Sequence, residues 1–162
     1  MAQHFYLAEP AAAHHVYVGA TDPEGHSAVY RLRFEAGPSS GGGLLAWAGS
    51  KDPAGVREEK GGPWVALAPD GGHLYLSIRQ GREEANNYIA SYAIDRESGA
   101  LTDAGNQPTV LPGSPHCVVD PTGSMLVSSQ MAGGGATSFP LSGGMLQPPK
   151  TVMPFGEHHH WR

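Results

Sequence analysis

The sequence predicts an all-β chain of repeated four-stranded antiparallel meanders, arranged as the blades of a β-propeller. Three observations carry that reading. The 162 residues include 23 Gly and 14 Pro, neither of which extends a helix comfortably. Hydrophobic residues make up 40 % and charged residues only 15 %, too apolar for a disordered chain and too sparsely charged for a coiled coil or exposed bundle. The chain also repeats itself. Laid without a gap over residues 114–131, residues 62–79 bring Pro63 onto Pro115, Pro69 onto Pro121, Gly71 onto Gly123 and Leu74 onto Leu126, an offset of 52 residues. About 50 residues is the length of one four-stranded blade.

Each unit opens on a short apolar strand that ends in Pro69-Asp70-Gly71 or Pro121-Thr122-Gly123. Pro presets φ at the second position of a turn and Gly accepts a positive φ, so both are tight reversals. Two strands of period-2 alternation follow, around Leu74-Tyr75-Leu76 and from Ile89 to Ile94. A turn at Ser98-Gly99 then leads to a short outer strand from Leu101. In the next unit, residues 135–142 and the turn before Met145 repeat that order. Upstream, residues 14–20, 27–37 and 41–49 form an incomplete copy that lacks the opening strand. The single domain, 1–162, thus divides into blades near 13–50, 63–110 and 115–153, with the start of another at 156–162. Residues 51–62 read as the connection between blades and residues 81–87 as a long hairpin loop, both charged and solvated. A β-sandwich of similar hairpins is the alternative at this level.

Composition bounds the partners. A net charge of −5 gives no cationic surface for nucleic acid or an anionic membrane. The single cysteine, Cys117, excludes an internal disulfide and a cysteine zinc site. The first 15 residues lack the basic and apolar regions of a signal peptide, and no run approaches the length of a spanning helix. A soluble, cytoplasmic chain is expected.

The order VYVGATD, AVYRLRF, PWVALAPDGGHLYLSIR, YIASYAIDRESGALT, LPGSPHCVVDPTGSMLV resembles the N-terminal part of the bacterial 6-phosphogluconolactonase family, a seven-bladed propeller. The resemblance runs along essentially the whole chain and covers a little under half of a complete member. It implies about three blades of an incomplete ring, a fragment whose open blade edges could support self-association. It also implies hydrolysis of a sugar-phosphate lactone in the pentose phosphate pathway, a branch of glucose metabolism, with no cofactor.

Such a hydrolase needs a base for water, donors for the oxyanion and cations for the phosphate. Arg79, at a strand end where some family members also place Arg, would bind the anionic groups of the substrate; a solvated Arg beside Glu83 and Glu84 is the plainer reading. His116 aligns with the family's His in its Gly-Ser-Pro-x-His segment, one residue short, and would act as a base; a packed His bonded to backbone is the alternative. Gly156-Glu157-His158-His159-His160 resembles the family's Gly-Pro-His-x-His. It offers His158 and His160 as further catalytic candidates, although Pro is replaced by Glu157 and a frayed tail would carry the same letters. A metal site from His14, His15, His158, His159 and His160 is disfavoured, because adjacent histidines on a strand point to opposite faces. Cys117 sits in an apolar strand, where an inert thiol is expected. The runs Gly41 to Gly43 and Gly133 to Gly135 lack a following Lys-Ser/Thr and read as turns, not phosphate cradles. Two other functions stay open: a catalytically empty propeller piece serving as an interaction scaffold, and a muconate-type lactonizing enzyme of the same fold.

Overall fold

Turns rich in Pro and Gly fold the chain into three antiparallel sheets. The structure, a computed structural model, describes residues 13–21, 26–37, 42–48, 57–60, 64–79, 87–113 and 116–155. The first sheet holds β1 (Ala13–Thr21), β2 (His26–Ala36), β3 (Gly43–Trp47) and β4 (Arg57–Lys60). The second runs β5 (Trp64–Leu67), β6 (His73–Arg79), β7 (Asn87–Ile94) and β8 (Leu101–Pro108), each paired with the next. The third holds β9 (His116–Val119), β10 (Met125–Gln130), β11 (Gly135–Ser142), β12 (Met145–Leu146) and β13 (Thr151–Pro154). These are three blades of a β-propeller, all-β throughout.

The turn chemistry works as the residues demand. Gly71 N–H donates to Ala68 O at 2.9 Å with Pro69 and Asp70 between them, and Gly71 sits at φ +70°. The Asp120-to-Gly123 turn has the same 2.9 Å bond and the same φ. In each case the positive φ falls where a side chain would be strained.

The fourth position of each blade corrects the expected layout. Residues 51–62, read as a solvated connection, include β4, which pairs with β2 at residues 26–28. The reason lies in strand length: β3 covers only Leu32 to Ala36 of β2, and the remaining edge presents open backbone donors and acceptors. The third blade does the same, with β12 on residues 141–142 and β13 on residues 135–138 of β11. The second blade keeps one strand, eight residues long where a short one was expected, and bulges it instead. Ala104 and Gly105 together oppose Ser91, and Gly105 takes φ +90°. A break or a bulge lets the outermost strand follow the twist of the blade.

Blade faces pack against each other. Leu74, Leu76, Ile78, Ala90 and Tyr92 of the second blade meet Val29 and Tyr17 of the first. Ala68, Tyr75 and Ile89, on the opposite face, meet Cys117, Leu126, Phe139 and Leu146 of the third. The central strand β6 is therefore buried on both faces, which explains its nearly unbroken apolar sequence. Each fully buried Leu or Ile contributes about 1.5–3 kcal/mol. Among the described residues no strand pairs with the second edge of β1, so the first blade lacks its opening strand, as its incomplete repeat predicts.

Both joints are fastened by the same device. Tyr17 Oη donates to Gly99 O at 2.9 Å, and Tyr75 Oη donates to Gly144 O at 2.7 Å. In each, a His two residues before the Tyr packs on that glycine. A Cβ on Gly99 would stand 2.6 Å from His15 Nδ1, and one on Gly144 2.0 Å from His73 Nδ1. Both glycines have positive φ. A His-x-Tyr pair on one blade and an outer-turn glycine on the next thus form a latch.

Candidate functional site

Strand directions sort the described turns to one of two rims. The Ala68-to-Gly71 and Asp120-to-Gly123 turns, the Ser98-Gly99 turn and Gly143-Gly144 share one rim with both latches. The opposite rim collects the starts of β5 and β9, the end of β6 and the start of β7, where Arg79 pairs with Asn87. Trp64, the Arg79 end of β6 and His116 therefore lie at the same rim on two adjacent blades; the Arg79 side chain itself lies outside the described residues.

His116 begins β9 in register with Ser129. Its ring is exposed and lies against Trp64, with centroids 4.4 Å apart and planes tilted by 43°. So exposed a ring is not the packed histidine of the plainer reading. Trp64 holds the equivalent position one repeat earlier and is 45 % exposed. Inner strands β5 and β9 run side by side, which brings the two rings together. His158 and His160 lie outside the described residues. Among the described residues no three His, Cys, Asp or Glu gather as metal ligands. Cys117 is buried, and that burial pushes its thiol up to about 12, far from thiolate chemistry.

Behind the rim lies a buried polar seam that the residue pattern did not signal. Thr137 Oγ1 donates to Thr109 O at 2.8 Å and lies 3.2 Å from Gln130 Oε1. Thr109 Oγ1 lies 3.2 Å from Asn87 O and 3.0 Å from Leu111 O. Ser128 Oγ reaches His116 O at 3.2 Å. Gln130 is 1 % exposed. The chain leaves β8 through a γ-turn, with Leu111 N–H donating to Thr109 O at 2.7 Å across Val110 at φ +66°. A β-branched residue in that region is strained, and such strain gathers at functional sites. The following strap is tightly seated: a Cβ on Gly113 would stand 2.7 Å from Ala132, and one on Gly135 2.5 Å from Leu111. Thr-Val-Leu-Pro-Gly announces a turn after Val110, but no residue in it announces a positive φ at Val.

The latch rim is built differently. The Asp120 carboxylate accepts from Thr122 Oγ1 and from the backbone N–H groups of Thr122, Ser124 and Met125. Those bonds, the Thr122 hydroxyl foremost, hold it down at about 2. A cavity of about 420 Å³ opens here between Pro69, Asp70, Thr122 and Gly144. Its carboxylates serve turns: Asp70 Oδ1 accepts Gly72 N–H at 2.9 Å.

A family model described as Lactonase, 7-bladed beta-propeller matches residues 15–160. The chain belongs to that family. Among curated proteins, none matches this sequence. Solved structures agree on the fold of this lactonase-family chain. A candidate 6-phosphogluconolactonase from Bacteroides fragilis superposes with a TM-score of 0.67 at 21 % identity, over 87 % of this chain and 36 % of its own. The periplasmic gluconolactonase PpgL of Pseudomonas aeruginosa gives 0.66 at 18 % identity, over 87 % and 38 %. A protein from Lactobacillus plantarum gives 0.55 at 19 % identity, over 88 % and 42 %. The lactonase-family chain thus spans well under half the length of these three structures.

Proposed function

We propose that this lactonase-family chain supplies part of a sugar-lactone hydrolase of the 6-phosphogluconolactonase type, acting in the cytoplasm within the pentose phosphate pathway and needing no cofactor. The observation that carries the reading is the meeting of His116 with Trp64 on the rim where β6 ends at Arg79. Lactone opening asks for little more. Neutral His116 takes a proton from water as the oxygen attacks the ring carbonyl. The guanidinium of Arg79 stabilises the oxyanion or holds a substrate phosphate. The ester C–O bond then breaks, and the ring oxygen leaves with the proton returned by the imidazolium, giving the open-chain acid. His158 and His160 are further candidates for the proton-transfer role.

A scaffold reading draws on a different observation. The outward faces of the first and third blades expose apolar side chains, Leu45 at 52 %, Trp47 at 45 % and Met153 at 54 %, and exposed apolar faces mark association surfaces. Self-association through those faces would complete or extend the ring. One preparation separates the readings, through lactone hydrolysis above the spontaneous rate together with native mass. Hydrolysis that falls at least tenfold in Arg79→Ala supports the hydrolase. A catalytically silent protein supports the scaffold and overturns the hydrolase.

A further inference from the structure

We infer that the outer edge of β3 is an association site, at which two copies of this chain pair antiparallel about a two-fold axis through Leu45. Such pairing depends on neither reading above and uses the edge of a blade, not its outward face. An outer strand with unprotected backbone recruits another strand. Two of the three blades blunt that edge. The outer strand of the second, β8, carries Asp103 and the bulge at Ala104 and Gly105. The third divides its edge between a two-residue and a four-residue strand, with Pro148 and Pro149 between them and Pro154 at the end. In the first blade, β3 reads Gly-Leu-Leu-Ala-Trp, without charge, Pro or bulge. Among the described residues no strand pairs with its outer side. Leu44 lies on the face turned to the second blade, as Tyr17 and Val29 do, yet is 64 % exposed. Blade packing therefore leaves this strand uncovered even where a neighbouring blade is present.

Backbone parity fixes the register. Ala48 N–H donates to Arg31 O, and Gly37 N–H donates to Gly42 O. The alternate residues Leu44 and Ala46 thus turn their backbone groups toward β2. Gly43, Leu45 and Trp47 turn theirs outward. In an antiparallel pair, outward residues must meet outward residues to exchange hydrogen bonds. Leu45 set opposite Leu45 of the second copy matches all three and puts each Gly43 opposite a Trp47. That register closes about six bonds, two for each pair. The side chains agree with it. Leu44 falls opposite Ala46 and Trp47 opposite Gly43, large against small each time. The Phe34 ring fills the space where Gly43 would carry a Cβ, so the incoming indole meets an aromatic surface. With no charge on β3, no like charges oppose each other. A five-residue edge covers less than the about 1,200 Å² of a standard interface, so the pair is weak and reversible.

Analytical ultracentrifugation of the full chain should show a monomer–dimer equilibrium with Kd on the order of 10–100 µM. Leu45→Pro removes an outward N–H and no bond within the sheet; it should weaken the dimer at least tenfold with the melting midpoint retained. Leu45→Cys should form a covalent dimer on mild oxidation, because the axis sets residue 45 about 5.5 Å from its own copy between Cα atoms. Leu44→Cys, whose counterpart is Ala46, should not, and Cys117 is buried and does not compete. Val18→Lys charges the outward face of the same blade two strands away and should leave the dimer intact. A monomer up to millimolar concentration, equal cross-linking at positions 44 and 45, or a dimer lost in Val18→Lys and kept in Leu45→Pro overturns the edge pairing.

Discussion

The two joints between blades share a latch and differ in everything else. At the first, His15 and Tyr17 hold Gly99, and the Arg31 guanidinium bridges Ser98 O and Ala48 O. At the second, His73 and Tyr75 hold Gly144, and the opposite rim is closed as well, by the Thr109, Gln130 and Thr137 seam and the strap from Val110 to Gly113. The joint next to His116 is thus pinned at both rims. The repeat supplies a generic fastening, and extra polar closure is spent where the candidate site has to be held in register. The third blade carries Met125 and Val127 where the second has His73 and Tyr75, so it offers no latch of this kind on its outward face.

The blade joints are most sensitive at the latch glycines. Gly144→Ala combines φ +81° with a Cβ 2.0 Å from a buried imidazole atom. Strain and overpacking together should cost about 3 kcal/mol or more. Gly99→Ala, with φ +70° and 2.6 Å, should cost somewhat less; urea midpoints measure both. Next in size is Thr137→Val, which removes one of the two donors to Thr109 O and the hydroxyl beside the buried Gln130 Oε1, and should cost about 1–3 kcal/mol. Native-state hydrogen exchange should place the loosening at the second joint and leave the first protected.

Tyr75→Phe and Tyr17→Phe each remove one hydrogen bond and should cost about 1 kcal/mol. The Tyr75 change carries a pH signature. Burial first, and then the charge of Asp70, push that phenol up from 10.0 to about 12. The unfolded chain releases the proton at lower pH than the folded one, so the stabilisation is complete below pH 10 and is lost as pH climbs through about 12. Tyr75→Phe should flatten that alkaline decline. The smallest change runs the other way: Val110→Asn, better suited to a positive φ, should raise stability by up to about 1 kcal/mol, read as a higher melting midpoint.

What the residues reveal of the fold depends on which physics is local. The Pro-x-Gly turns, the alternating strands and the 52-residue repeat depend on near neighbours, and all three blades were legible from them. β4 was not: Arg57 to Lys60 has no apolar alternation, and only the open edge of β2 makes it a strand. The latch was not legible: its glycines lie 82 and 69 residues downstream of the tyrosines they bind. Among the candidate site residues, the strand ends placed Arg79 and His116 on one rim, whereas the partnership of His116 with Trp64 belongs to two separate strands. The Val110 turn left no trace, because Val is among the residues least suited to the φ it adopts.

The most direct test of the account compares the two rims for activity. The catalysed excess of lactone hydrolysis should be measured in the parent chain, in His116→Ala, in Arg79→Ala and in Asp70→Ala, with melting midpoints matched. The excess should collapse at least tenfold in His116→Ala and Arg79→Ala and persist in Asp70→Ala. An excess that survives the loss of His116 and Arg79, or that vanishes with Asp70, would contradict it.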